Sequence, residues 1–161
     1  YRKGYANDPK GGGVIFDCIH EIDLANYLLG KAKVIDCFAE SSKSLQLDTE
    51  DIADIWLKHQ DKSRSLIHLD YITKPKIRCT KVIGEKGIIK IEISKRTLKL
   101  LNNDNKITES YYFNNNSNED YKSELKSFFK CIKDKTEPIC KAEDALEILK
   151  QVIEARKLAG L

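Results

Sequence analysis

No apolar run in this chain reaches the roughly 18 residues that a membrane-spanning helix needs, and no secretory leader is visible at its start. No C-x-x-C occurs. The five cysteines, Cys18, Cys37, Cys79, Cys131 and Cys140, are odd in number and widely spaced. That argues against a finger-like zinc site and fits reduced, buried thiols in a cytoplasmic protein. A strong charge of one sign is also missing: 28 Lys and Arg stand against 25 Asp and Glu, for a net charge of +3. Basic and acidic residues are interleaved, so neither a nucleic-acid partner nor a membrane is expected. There is no G-x-G-x-x-G, no Walker spacing and no nucleophile elbow. The chain begins at Tyr1 rather than Met and reads as a piece of something longer.

What is present is a globular composition. The 161 residues are 41% apolar and 33% charged, enough for one domain with a sizeable core. Residues 1–13 read as a loop with Tyr1 and Tyr5 as its bulky groups. Residues 14–29 carry a helical period that stops at Gly30. The period then shortens to that of a strand at 33–41, 52–59, 65–72, 77–83, 88–93, 97–101 and 107–113, with polar turns between. An Asn-rich stretch, 114–118, closes this region. Helices follow at 119–133, with Tyr121, Leu125, Phe128, Phe129 and Ile132 on its apolar stripe, and at 142–158, with Ala145, Leu146, Leu149, Val152, Ile153 and Ala155 facing inward. Strands that follow one another without intervening helices argue against a doubly wound parallel sheet. The expected class is α+β, a mostly antiparallel open sheet of about six strands with helices on one face. The other face would meet solvent or a second copy of the chain.

The densest set of ionisable groups lies in residues 11–30, GGGVIFDCIHEIDLANYLLG. On a helix turning about 100° per residue, Ile15, Cys18, Ile19, Ile22, Ala25 and Leu29 share one arc. Asp17 and His20 fall opposite it, three residues apart and therefore neighbours, with Asp23 at the flank. An imidazole oriented by a carboxylate is what a general base requires. By spacing alone the pair is either a solvated surface or the floor of a site. The other histidines, His59 and His68, sit on strands with no acid at a fixed spacing. Residues 48–51, DTED, read as a solvated turn that could at most bind a cation. Gly84-x-x-Gly87 reads as a hairpin turn.

Five segments in order carry a resemblance: GGGVIFDCIHEIDLANYLLG, DTEDIADIWL, KVIGEKGIIKI, YKSELKSFFKCI, and Pro138 followed by EDALEILKQVIEAR. Together they resemble the C-terminal domain of the Gfo/Idh/MocA oxidoreductases, over nearly the whole chain. The resemblance implies a dihydrodipicolinate-reductase-like α+β domain and a single substrate-binding and oligomerisation domain over residues 1–161. An N-terminal Rossmann domain, not contained in these residues, would bind NAD or NADP. It implies that His20, in the H-x-x-D of the signature, takes a proton from or hydrogen-bonds the hydroxyl of a sugar, amino sugar or polyol. Asp17 would act with it as a catalytic pair. Many members place the acid four residues before the histidine, whereas here it stands three before. Asp23, Tyr71 and Arg78 are the implied substrate-binding residues, the last two from the segment LDYITKPKIR. No cofactor-binding or metal-binding residue is expected in this chain. A homo-oligomer formed through the open sheet face is implied, and the chain alone is expected to be inactive. Two alternatives are a non-catalytic module of the same fold that binds a sugar or a protein, and a purely structural dimerisation domain.

Overall fold

The computed structural model describes residues 4–114 and 116–161; Tyr1 and Asn115 lie outside the described residues. In chain order the elements are a 3-10 turn at Tyr5–Asn7, α1 (Val14–Asp17), α2 (Ile19–Leu29), β1 (Ala32–Glu40), β2 (Ile52–His59), β3 (Arg64–Asp70), β4 (Cys79–Gly84), β5 (Gly87–Glu92), a second 3-10 turn at Ile93–Lys95, β6 (Thr97–Leu101), β7 (Ile107–Tyr112), α3 (Ser117–Asp134) and α4 (Ala142–Leu158). The class is α+β and all strand pairings are antiparallel. The strands divide into a three-stranded sheet, β1-β2-β3, and a four-stranded sheet, β4-β5-β6-β7. The chain correspondingly forms two compact units, Tyr1–Ile72 with Ile139–Leu161, and Thr73–Pro138.

In the first unit α1, α2 and α4 lie on one face of the β1-β2-β3 sheet. Strand alternation explains which face: Ala53, Ile55, Leu57 and His59 of β2 are buried, while Trp56 and Lys58 between them are exposed. The core joins Val14, Ile15, Ile22, Cys37, Ile55, Leu57, Leu69, Ile148, Val152 and Ala155. Each large side chain there contributes about 1.5–3 kcal/mol by leaving water. The register of β1 on β2 slips between Val34 and Asp36. This bulge lets Ile35 and Asp36 both stay exposed before Cys37 turns inward. On the outer face Phe38, Trp56 and Leu66 remain 65%, 42% and 57% exposed.

In α4 the buried positions are Ile148, Val152 and Ala155, spaced four and three apart, whereas Ala145, Leu146, Leu149 and Ile153 are exposed. Hydrophobicity predicts a wider inward arc than the structure uses. Only a narrow stripe reaches β1 and α2.

The second unit is a meander. Lys81, Lys90 and Lys99 stand opposite one another across β4, β5 and β6, and Val82, Ile89 and Leu100 form the adjacent row on the other face. Asn116 caps α3, its side-chain oxygen accepting from the Glu119 amide at 3.1 Å. An ion pair of 2.6 Å ties Asp120 in the first turn to Arg96 at the start of β6. The predicted apolar stripe of α3, Tyr121, Leu125, Phe128, Phe129 and Ile132, is exposed.

Candidate functional site

The site region starts with a strapped loop. The 3-10 turn at Tyr5–Asn7 presents the Ala6 carbonyl to two donors, the Gly13 amide at 2.9 Å and the Thr49 hydroxyl at 2.7 Å. The Asp48 amide donates to Asn7 Oδ1 at 2.7 Å. A Cβ on Gly12 would lie 2.4 Å from the Tyr5 carbonyl oxygen, so the close approach of these backbones requires glycine there.

The 48–51 segment is not the solvated turn its composition suggests. Thr49, Glu50 and Asp51 are 5%, 2% and 0% exposed. Asp51 accepts from the amide and the hydroxyl of Ser42, both at 2.7 Å. Glu50 closes the start of α1: its backbone carbonyl accepts from the Val14 amide at 3.0 Å and its Oε1 from the Ile15 amide at 3.3 Å. Helix amides left without partners are the reason an acid is favoured here. The cationic partner of Glu50 is Arg156 of α4. Its Nη1 lies 2.8 and 2.9 Å from the two carboxylate oxygens, and its guanidinium stacks on the Phe16 ring, 4.9 Å from the centroid.

The expected single helix over 14–29 is two helices. Cys18, at φ −101° and ψ 25°, ends α1 and precedes α2. The break falls between Asp17 and His20, so a projection at uniform pitch misplaces them relative to each other. Asp17 accepts a hydrogen bond from the Tyr5 hydroxyl. His20 turns to Glu21, with Nε2 3.4 Å from Oε1 and its side chain 49% exposed.

Tyr71, just past β3, is held by its backbone amide on the Asp51 carbonyl at 3.0 Å, and its ring packs on the core. Burial, then the charge and hydrogen bonding of Asp17, push its phenol well above the ordinary value. The structure thus gathers Asp17, Tyr71 and Tyr5 into one cluster. His20 and Asp23 sit one turn apart on α2, both exposed. Asp23 lies at the edge of an open groove of about 1040 Å³ with Tyr27, Lys33 and Glu147. That groove includes neither Asp17, His20 nor Tyr71. Arg78 belongs to the second unit, where its carbonyl accepts from the Ile93 amide at 3.0 Å.

Sequence reasoning missed Glu50, Arg156 and Tyr5. A signal existed for one: Arg156 follows Val152 by four residues and therefore continues the buried stripe of α4. One strand histidine, His68, also differs from expectation. His68 Nδ1 is 2.7 Å from Asp54 Oδ1 across the β2–β3 pair, and Nε2 is 3.5 Å from Asp70 Oδ2, on the exposed sheet face. Cross-strand register supplies the acids that linear spacing hides. Among the described residues, no group of three or more His, Cys, Asp and Glu side chains could hold a metal ion, and no helix is long and apolar enough to cross a membrane.

A three-stranded and a four-stranded antiparallel sheet with helices define an α+β fold. The family model for the oxidoreductase family, C-terminal alpha/beta domain, matches residues 2–158, and the chain belongs to the Gfo/Idh/MocA family. No curated protein is matched by sequence. Among solved structures, levoglucosan dehydrogenase in complex with NADH and levoglucosan is similar at 14% identity and a TM-score of 0.89, over 99% of this chain and 52% of that one. The aldose-aldose oxidoreductase of Caulobacter crescentus, complexed with glycerol, is similar at 20% identity and 0.83, over 98% and 49%. The UDP-N-acetylglucosamine 3-dehydrogenase of Acidithiobacillus ferrooxidans is similar at 16% identity and 0.80, over 98% and 50%. The chain therefore spans about half the length of these structures.

Proposed function

We propose that this chain is the substrate-binding and oligomerisation domain of a nicotinamide-dependent oxidoreductase acting on a hydroxyl or ketone of a sugar, amino sugar or polyol. The observation that carries this reading is the half-exposed imidazole of His20 at the start of α2, three residues after the Asp17 of the Asp17–Tyr71–Tyr5 cluster, in a chain of this family. His20 would accept the hydroxyl proton, or hydrogen-bond the hydroxyl, and Asp17 would act through the tyrosines that frame the approach. Asp23 and Tyr71 would contact the substrate.

NAD or NADP would accept hydride from the substrate carbon. The Gly12–Gly13 turn is backed by backbone carbonyls and by the Glu50 carboxylate, which would repel an anion. We assign the cofactor mainly to a Rossmann domain outside these residues. The exposed Phe38, Trp56 and Leu66 on the open face of β1-β2-β3 support a homo-oligomer formed there. A cytoplasmic enzyme, without membrane or nucleic-acid partners, completes the reading.

The test is His20→Ala in the full-length protein, assayed with NAD and NADP against a panel of sugars, amino sugars and polyols. The expected result is a fall in kcat of about 10²–10⁴-fold with cofactor affinity unchanged; unchanged turnover would overturn the assignment. Titrating NAD(H) and NADP(H) into this chain alone is expected to give weak binding or none. Micromolar affinity there would refute the division of labour between domains.

A further inference from the structure

We propose that Glu50 and Arg156 are positioning residues, a buried ion pair that fixes the Gly12–Phe16 turn and thereby the direction in which Asp17 and His20 are presented. The proposal rests on the reading of Asp17 and His20 as the site.

Both members are remote from the site in sequence, and Glu50 is 2% exposed, too buried to meet a substrate. Yet between them they touch each of the five residues leading to Asp17. Arg156 Nη1 donates to the Gly12 carbonyl at 3.1 Å. Gly13 stands at φ +93°, where a Cβ would lie 2.2 Å from the Glu50 carboxylate oxygens. The Val14 and Ile15 amides donate to Glu50, and the Phe16 ring lies under the guanidinium.

The connection to the site is one hydrogen bond long. The Asp17 amide donates to the Gly13 carbonyl at 3.1 Å and the Cys18 amide to the Val14 carbonyl at 3.0 Å. The clamped residues are thus the acceptors of the turn that carries Asp17, and α2 with His20 begins immediately after it. A buried ion pair is a poor device for stability alone, because apolar replacements of similar volume often hold a fold as well. It is a good device for direction, since its hydrogen bonds constrain angle as well as distance. Displacing a reacting group by about 1 Å can cost about 10²-fold in rate.

The experiment uses Glu50→Gln, Arg156→Ala and Arg156→Lys in the full-length protein, with Glu154→Gln on the exposed face of α4 as control. Amide hydrogen exchange and the His20 ring resonances are read alongside kinetics. In Glu50→Gln and Arg156→Ala, protection of the Ile15 and Asp17 amides is expected to fall at least about 10-fold while β2 and α4 keep theirs, and the His20 ring signals shift. In parallel kcat falls about 10–100-fold with the cofactor KM unchanged, and Arg156→Lys recovers part of the loss. Unchanged protection at the turn, or loss spread evenly through the first unit, overturns the proposal. If Glu50→Gln does not fold, Arg156→Lys carries the same comparison. A loosened turn with full kcat, where His20→Ala abolishes turnover, refutes positioning. A loosened turn in a protein whose turnover survives His20→Ala refutes instead the reading of the site, and leaves the clamp standing as a structural device.

Discussion

His59 joins β2 to the end of α2 through its imidazole: Nδ1 lies 2.7 Å from the carbonyl oxygen of Gly30, while Nε2 lies 2.8 Å from Ser65 Oγ on β3. One tautomer serves both contacts, with Nδ1–H donating to the carbonyl and Nε2 accepting from the hydroxyl. The residue is 2% exposed, whereas Gly30 is exposed and Ser65 half-buried. His59→Ala would remove both hydrogen bonds and leave a cavity behind, at a cost of about 2–4 kcal/mol. Ser65→Ala, which removes one contact, is expected to cost about 1 kcal/mol. Urea unfolding of the two variants measures this, and a His59→Ala cost below about 0.5 kcal/mol, the range of ordinary surface changes, would remove the clamp from the account.

Two of the three consecutive glycines make opposite predictions on substitution. A Cβ at Gly13 meets the Glu50 carboxylate at 2.2 Å in a backbone of φ +93°, while a Cβ at Gly11 meets nothing within 4 Å. Gly13→Ala is therefore strained twice, by conformation and by collision, and is expected to cost about 2–4 kcal/mol. Gly11→Ala is expected to fall within about 0.5 kcal/mol of the parent. Thermal melts of the pair decide this; equal losses at both positions would show that the turn is set by something other than Glu50.

The elements were legible in the sequence because their signals are local. Every strand from β1 to β7 announces itself by alternation or by its flanking turn, and α3 and α4 by their period. What was not legible depends on residues far apart in the chain. Glu50 reads as part of a polar turn until Arg156, 106 residues later, supplies its partner. His68 reads as an isolated strand histidine until the register of β2 and β3 sets Asp54 opposite it. The break at Cys18 was hidden for another reason: VIFDCIHEI keeps a helical period across it, and no local residue type marks the turn. The composition likewise gave no sign that the strands divide into two sheets, since each hairpin looks the same whichever neighbour it chooses. The family resemblance supplied what spacing could not, a reason to choose the site over the solvated surface for His20.

The buried thiol of Cys37 gives a pH-dependent signature. Burial, followed by the nearby carboxylates of Asp36, Glu50 and Asp54, pushes it up to about 11. At pH 8 only about 0.1% of it would be thiolate, so it should resist alkylation in the native protein and react once urea exposes it. Cys79 and Cys140 are exposed and should be labelled first; mass spectrometry after brief iodoacetamide treatment reports the order. The sign for stability follows. A thiol whose pKa is raised on folding contributes fully below its unfolded value of 9.0, and that contribution is lost as the pH climbs toward 11. Early modification of Cys37 at pH 8 would contradict its burial.

Tyr71 carries a second pH-dependent signature, one that reports its cluster with Asp17. Its phenol is raised by burial first and then by Asp17, whose negative charge opposes a second anion beside it and whose oxygens favour the protonated hydroxyl. Folding therefore holds the Tyr71 proton, and this part of the stability is present below the unfolded value of 10.0 and lost only at higher pH. A protein labelled at tyrosine Cζ with ¹³C should show the Tyr71 signal still in its phenol position at a pH where the same residue in urea has ionised. Asp17→Asn removes the charge and leaves the burial, so the midpoint should fall part of the way back. Tyr5→Phe, which deletes the hydroxyl that donates to Asp17, should not reproduce that fall. Tyr5 itself adds only the smallest of the influences that raise Tyr71, so the midpoint should fall by less than in Asp17→Asn. A midpoint that ignores Asp17→Asn would separate Tyr71 from Asp17 and dissolve the cluster.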